Sequence, residues 1–566
     1  MLYFYGFGNG LLLKALAANP HCHHLVIFES RLQILWTIFH CVDFSEEFER
    51  QKFILIDANT ITAEELRCLL DYEPFFSYAK TYFLEPNCEY YERFGEDLLR
   101  VNSLMMGAIK FIIYAHGNDP LDALQGIEQL ICNLAPMIEN PTFGELLQKR
   151  RGLCENAIIV STGPSLTKQL PLLKQVQGRA LIFAADSAYP ILAKWGIRPD
   201  FVCMVERSEL TAEFFKHDFG EFDAGVVFLC LSLVHPNALK FLKQNGRSFI
   251  LIPRDGTFER YLALKKWGVL ANASNVACMN YILANALHCK NIILIGQDLS
   301  YDERGFSHPK DYQNSQDFES AEEKIPILAY GGDGEVLTHA MWLMFKQNLE
   351  DNILRLGATC YNATEGGARI EHSIEKPFGE CCEELLGQDL QRPFARLWPL
   401  NFEKQNELLL TAWAKIEASA RHCEDLSAHF SGHLQRLEGA LLDFSQNSSE
   451  DYRFKLTTIL GAFEEDLNAK GEKYAHVFEL LHPYLVQWRL NFSKILVLQP
   501  KTIEDDFNKI ALLAQENLKL LEFILGALKI LRQKIYENKG PLKDTLEARN
   551  LTKYLRSKNA KNHRHN

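Results

Sequence analysis

The chain has 566 residues, 47% of them hydrophobic and 11% aromatic. That is enough apolar material for about two to four folded domains. Lys and Arg number 60 against 72 Asp and Glu, a formal net charge of −12, which argues against a nucleic-acid binder with a basic face. The 14 cysteines form no Cys-x-x-Cys pair, and many stand in apolar runs, as Cys203, Cys230 and Cys278 do. They read as small buried hydrophobes in a reducing cytoplasm, and the adjacent Cys381 and Cys382 as incidental. The N-terminus has no basic segment ahead of an apolar core, and no apolar run is read as membrane-spanning. The expectation is a soluble cytoplasmic protein without stable membrane insertion.

The first region, 1–145, alternates short apolar strands with helical stretches. Leu2 to Tyr5 is a strand, followed by Gly6-Phe7-Gly8-Asn9-Gly10. His24 to Glu29 and Phe53 to Asp57 are the next strands. This alternation predicts a parallel sheet in a Rossmann-like domain. A glycine turn followed by an acid about twenty residues on is the nucleotide fingerprint of such sheets, so Glu29 is a candidate ribose ligand. The competing reading is a Rossmann-like domain whose crevice holds no cofactor.

The second region, 146–400, repeats the alternation. Its predicted strands are Ala157 to Val160, Ala180 to Ala184, Phe201 to Val205, Val226 to Cys230, Ser248 to Ile252 and Asn291 to Ile295. Short apolar runs bounded by turn residues predict a doubly wound parallel sheet with helices on both faces. In the third region, 401–552, Gly and Pro become rare and apolar residues recur at helical spacing. Phe430, Leu434, Leu437, Leu441 and Phe444 make one stripe, and Leu513, Leu520, Ile524, Leu528 and Leu531 another. These predict helices with one buried face, and amphipathic helices also suit a protein partner. The polar, basic stretch 553–566 reads as a disordered tail.

Ligands of open parallel sheets bind beyond the carboxyl ends of the strands. The polar residues that follow the strands of the second region are therefore the candidates. Ser161-Thr162-Gly163-Pro164-Ser165 follows the first: a glycine turn at a helix start, where free N–H groups and the helix dipole suit a phosphate. Thr162 and Ser165 offer hydroxyls, Gly163 lets backbone approach closely, and Pro164 suits a first helical turn. Asp186 and Ser187 follow the second strand, and Glu206 and Arg207 the third. Gly296-Gln297-Asp298-Leu299-Ser300-Tyr301 follows the last. Asp186 can accept from ribose hydroxyls or a base amino group. Asp298 reads equally as a ligand contact or as a turn cap.

Further along stand Gly305-Phe306-Ser307-His308-Pro309, with His308 as a candidate general base. Tyr330-Gly331-Gly332-Asp333-Gly334 reads as a flexible loop before a helix carrying Thr338 and His339. Asn362-Ala363-Thr364-Glu365-Gly366-Gly367-Ala368 reads as a loop returning to the site. The glycine turn lacks the lysine of a Walker loop, which argues against ATP hydrolysis. No Asp-x-Asp stands at a strand end, and no metal site is assigned.

These segments, taken in order, resemble the motility accessory factor family of flagellin glycosyltransferases. The resemblance runs through Gly163-Pro164-Ser165-Leu166, Ala185-Asp186-Ser187-Ala188 and Gly196-Ile197-Arg198-Pro199-Asp200 up to Glu206. It continues through Leu294 to Leu299, Gly334 to Thr338 and Asn362 to Ala368. The second region also resembles bacterial sialyltransferases that use CMP-sialic acid. The resemblance implies transfer of a nonulosonic acid, pseudaminic or legionaminic, from its CMP form to Ser or Thr hydroxyls of flagellin. It implies a CMP-sugar site drawn from Thr162, Gly163, Pro164, Ser165, Asp186, Ser187, Gly296, Gln297, Asp298, Thr338, Glu365 and Gly366. It implies a histidine base, His308 first and His339 second, with Glu206 as a further catalytic candidate. No cofactor is required, because CMP is itself a good leaving group. Two other functions remain open: a pterin pyrophosphokinase-like enzyme moving diphosphate from ATP, and a non-enzymatic flagellin-binding chaperone.

Overall fold

The structure is a computed structural model that describes residues 1–116, 119–313, 322–446 and 449–555. The chain divides into two compact units. The first comprises 1–120, 425–473 and 480–529; the second comprises 121–424, 474–479 and 530–566.

The first unit holds a four-stranded parallel sheet of β1 (Leu2–Tyr5), β2 (Leu25–Glu29), β3 (Phe53–Asp57) and β4 (Leu84–Pro86), in the order β3-β2-β1-β4. Successive side chains of a strand point to opposite faces, so each face gathers its own core. Tyr3, Tyr5, Val26 and Phe28 meet helix residues such as Leu66, Val101, Met105 and Ile109 on one side. Phe4, Leu25, Ile27 and Phe53 meet Leu13, Leu35 and Phe44 on the other. Both faces are covered, as parallel sheets require.

The second unit holds an eight-stranded sheet. Its strands are β5 (Asn156–Val160), β6 (Leu181–Ala185), β7 (Phe201–Met204), β8 (Val227–Leu231), β9 (Ser248–Ile252) and β10 (Asn291–Ile295). After an antiparallel hairpin of β11 (Ile325–Leu328) and β12 (Glu335–Thr338) come β13 (Thr359–Asn362) and β14 (Ile374–Glu375). The sheet order is β14-β13-β10-β5-β6-β7-β8-β9, and every pairing is parallel. All of its residues from β5 to β8 except Asn156 are buried, which explains their unbroken apolar runs. The fold is thus α/β in both units, with long helices toward the C-terminus: Phe402–Gln446, Glu450–Lys473, Ala475–Leu496 and Ile503–Asn538.

The predicted strands are present within a residue or two of their expected ends. Five strands outside the prediction, β4, β11, β12, β13 and β14, carry too few buried apolar residues to stand out; β4 buries only Leu84. Tyr330–Gly334 is the turn of the β11–β12 hairpin, with Gly331 at φ 86°. Thr338 therefore ends a strand instead of riding on a helix, and His339 directly precedes the following helix Ala340–Arg355. In the predicted helical stripes Phe430, Leu437, Phe444, Leu520, Ile524, Leu528 and Leu531 are buried, and Leu434, Leu441 and Leu513 are half-buried. One expectation needs correction. Within residues 89–139, which include the helices Gly95–His116 and Pro120–Glu139, one 18-residue window is apolar enough by length and composition to cross a bilayer. Val101, Met105, Ala108, Ile109 and Ile112 of that stretch lie in the core of the first unit.

Candidate functional site

Strands β5 to β9 follow one another across one half of the second sheet. The chain then returns to place β10 on the opposite side of β5. Connections diverge here, and a crevice opens beyond the carboxyl ends of the two neighbouring strands. A cavity of about 180 Å³ lies there. It is lined by Thr162 and Gly163 after β5, Ser187 after β6, Glu206 after β7 and Gly296 to Ser300 after β10. Asn275 to Ala277, Ser307, His308, Trp342 and Phe345 complete the wall. Four strand ends that look unrelated in sequence share one site because the sheet is parallel.

The Ser161–Ser165 turn is held mainly by its neighbour across the switch point. Gly163 N–H donates to the Gly296 carbonyl at 2.7 Å. Ser165 Oγ–H donates to Asp298 Oδ2 at 2.7 Å, and Ser165 N–H reaches the same carboxylate at 3.2 Å. A Cβ on Gly163 would fall on that carboxylate and lie 2.6 Å from the Gly296 oxygen. Gly163 is thus required by close approach. The Asp298 carboxylate sits at the helix start that the sequence assigns to a phosphate, and pins the turn. Burial pushes Asp298 up to about 6, against the Ser165 hydrogen bonds and the charge of Lys168, which lower it. Pro164 is absent from the cavity wall, where the turn presents Ser161, Thr162 and Gly163. Thr162 Oγ1 and Ser187 Oγ share a hydrogen bond of 2.9 Å, and Ser161 Oγ–H donates to Gln297 Oε1 at 2.6 Å.

Asp186 is buried behind this wall. Its Oδ1 accepts from Ser187 N–H at 2.8 Å, whereas Oδ2 is buried without a hydrogen-bond partner. Burial pushes its carboxyl up to about 7, and the charge of Glu206 adds to the rise. Glu206 itself keeps contact with solvent, yet the protein packed around it raises its carboxyl, opposed by Arg207. His308 comes from the polar loop after β10 and packs its ring against Tyr312, 4.0 Å between centroids. Its Nδ1 lies 3.0 Å from the Thr162 carbonyl oxygen. A carbonyl only accepts, so Nδ1 carries the proton and Nε2 is the basic nitrogen. Burial lowers the ring's pKa, against the backbone hydrogen bonds of Thr162 and Ser307, which raise it.

Sequence reasoning missed Asn275, Val276 and Ala277. Asn275 caps the buried helix Val276–Ala286, accepting from Cys278 N–H at 3.0 Å. The first turn of that helix faces the cavity and brings its positive end there. The signal in the sequence is an Asn directly before an apolar helical run. Other predicted residues stand back from the cavity wall. Thr338 Oγ1–H donates to the Leu299 carbonyl at 2.8 Å and ties β12 to the β10 loop. His339 is buried against Trp342, 4.1 Å between ring centroids, with Nδ1 unpartnered and its pKa lowered by burial. Glu365 Oε1 accepts from Phe378 N–H at 2.9 Å, at the start of the helix Phe378–Leu385. Gly366 lies against Ser165 and Asp298, where a Cβ would be 3.7 and 3.8 Å from their atoms.

The first sheet has its own switch point, between β1 and β4. There the reading of Glu29 as a ribose ligand is overturned. Glu29 is fully buried and accepts from Phe7 N–H at 2.8 Å, Arg31 N–H at 2.7 Å and Tyr91 O–H at 2.6 Å. The Tyr91 ring lies where a Cβ of Gly6 would be, and the Asn87 side chain 2.7 Å from one on Gly8. The glycines make room for side chains of the same chain.

The comparisons with known proteins agree with this architecture. A family model described as 6-hydroxymethylpterin diphosphokinase MptE-like matches residues 128–304, the segment that carries β5 to β10. The solved structure of a MAf glycosyltransferase from Magnetospirillum magneticum AMB-1 superposes with a TM-score of 0.55 over 97% of this chain and 82% of that one, at 15% sequence identity. The chain therefore resembles the motility accessory factor proteins in fold over nearly its whole length. No curated protein sequence matches it.

Proposed function

We propose that the chain is a glycosyltransferase that moves a nonulosonic acid, such as pseudaminic or legionaminic acid, from its CMP form to Ser or Thr hydroxyls of flagellin in the cytoplasm. The observation that carries this reading is the cavity at the β5–β10 switch point, which joins hydroxyl donors, a helix start and a histidine. The likeness in fold to a MAf glycosyltransferase supports it. The CMP phosphate, as leaving group, gains negative charge as the bond to the sugar breaks. The start of the helix Val276–Ala286 and the hydroxyls of Thr162 and Ser187 are donors for that charge. The sugar carbon becomes oxocarbenium-like, and His308 Nε2 takes the proton of the attacking hydroxyl. Asp298 acts through the turn it holds. Asp186 is the buried acid behind Ser187 and acts through the backbone of that residue. This transfer calls for no cofactor, since the phosphate leaves as CMP.

The test is incubation with CMP-pseudaminic or CMP-legionaminic acid and unmodified flagellin. The expected result is a gain of one sugar mass per modified hydroxyl. Flagellin unchanged with every CMP-nonulosonate would overturn the reading. The name of the matching family model favours a second reading, diphosphate transfer from ATP to a pterin. Calorimetry separates them: the first requires binding of CMP in preference to ATP, the second the reverse.

A further inference from the structure

The expectation of no metal overlooks His429 and His433, two histidines one helical turn apart. They lie on the helix Phe402–Gln446, which runs antiparallel to Glu450–Lys473. The pairing is visible from Lys455 beside Asp443 at 2.8 Å and Phe463 beside Phe430 at 6.4 Å between ring centroids. Side chains four apart on a helix share a face. Here that face meets Asp466 of the second helix. His433 Nε2 is 2.9 Å from Asp466 Oδ2, and His429 Nε2 hydrogen-bonds the same oxygen. One ligand atom from each residue lies within 4.8 Å of the others.

We infer that His429, His433 and Asp466 form a three-ligand site for a divalent ion of the Zn²⁺ type, bridging the two helices. Two imidazoles and a carboxylate are a donor set that such ions take, at about 2.0–2.2 Å from each donor. Donors around a tetrahedral ion then stand about 3.4 Å apart, so small side-chain rotations close the site. The ion replaces the hydrogens that the imidazoles now direct at Asp466. His433 is buried beside Phe463, whereas His429 and Asp466 are partly exposed. The ion therefore has an entry path and keeps one position open to solvent, as in three-ligand zinc sites. Arg436 and Lys470 act electrostatically on His433 and Asp466. Their charge opposes a cation and sets the affinity below that of a closed four-ligand site. This inference does not depend on the reaction proposed above.

The test uses the full chain, stripped with a chelator and titrated with Zn²⁺ by calorimetry and with Co²⁺ by visible absorption. All samples carry His563→Ala and His565→Ala, so that the C-terminal His-x-His pair does not contribute. The expected result is one ion per chain, a visible Co²⁺ spectrum and a Zn²⁺-dependent rise in Tm. His429→Ala and Asp466→Asn should each weaken binding by at least the roughly ten- to hundredfold that loss of an outer partner costs, with helical circular dichroism retained. Undiminished one-to-one binding in His429→Ala/His433→Ala, or no Zn²⁺ effect on the Tm of the parent protein, would overturn the inference.

Discussion

The two parallel sheets of this chain each reverse their strand order once, and the two reversal points have opposite fates. At β1–β4 the glycine turn is closed by Tyr91 and Asn87, and the strand-end acid Glu29 has three donors from its own chain. At β5–β10 the glycine turn is closed by Asp298, but the neighbouring strand ends and the helix start at Asn275 leave a polar cavity. The same topological device yields a packed core in one case and a candidate site in the other. What separates them is the residue that fills the turn: a large aromatic against a single carboxylate.

Mutations break this comparison in graded ways. His308→Ala removes the proposed base and should lower sugar transfer by about 10²–10⁴-fold in a flagellin mass assay, with CMP affinity by calorimetry retained. Tyr91→Ala should cost about 3–5 kcal/mol in chemical denaturation, the range for large buried aromatics, and leave CMP affinity unchanged. Asp186→Asn tests the buried acid through pH. Its folded-state pKa is raised from 3.8 to about 7, so the folded chain holds a proton that the unfolded chain releases. Stability attributable to Asp186 is present at low pH and falls as pH rises through that window, by up to about 4 kcal/mol at 1.36 kcal/mol per pH unit. Asp186→Asn should abolish that fall, so that denaturation midpoints at pH 8 rise above those of the parent. Gly163→Ala forces a Cβ onto Asp298 and should cost about 1–3 kcal/mol as overpacking, read as a lower Tm and weaker CMP binding.

Much of the fold was legible because parallel strands buried on both faces leave unbroken apolar runs. The six predicted strands of the second unit are of that kind, while β4, β13 and β14 are short and poorly buried. The site was legible only in part. Thr162, Ser187, Asp298 and His308 were found because strand ends and polar loops are where a parallel sheet puts ligands. The direction of Glu365 and Thr338 depends on which backbone group each side chain meets, and no local pattern encodes that. Glu29 misled because the fingerprint of glycines and an acid is satisfied equally by a ribose or by Tyr91. Asn275 was missed because its signal is a helix cap, and its importance comes from a tertiary contact 113 residues from Thr162 in the chain.

The most direct test is a crystal structure of the chain soaked with CMP. The account predicts density at the β5–β10 switch point, with the phosphate at the start of the helix Val276–Ala286 and within hydrogen-bond reach of Thr162 or Ser187. Density at the Gly6–Gly10 turn with Tyr91 displaced, or none in the cavity at saturating CMP, would contradict it.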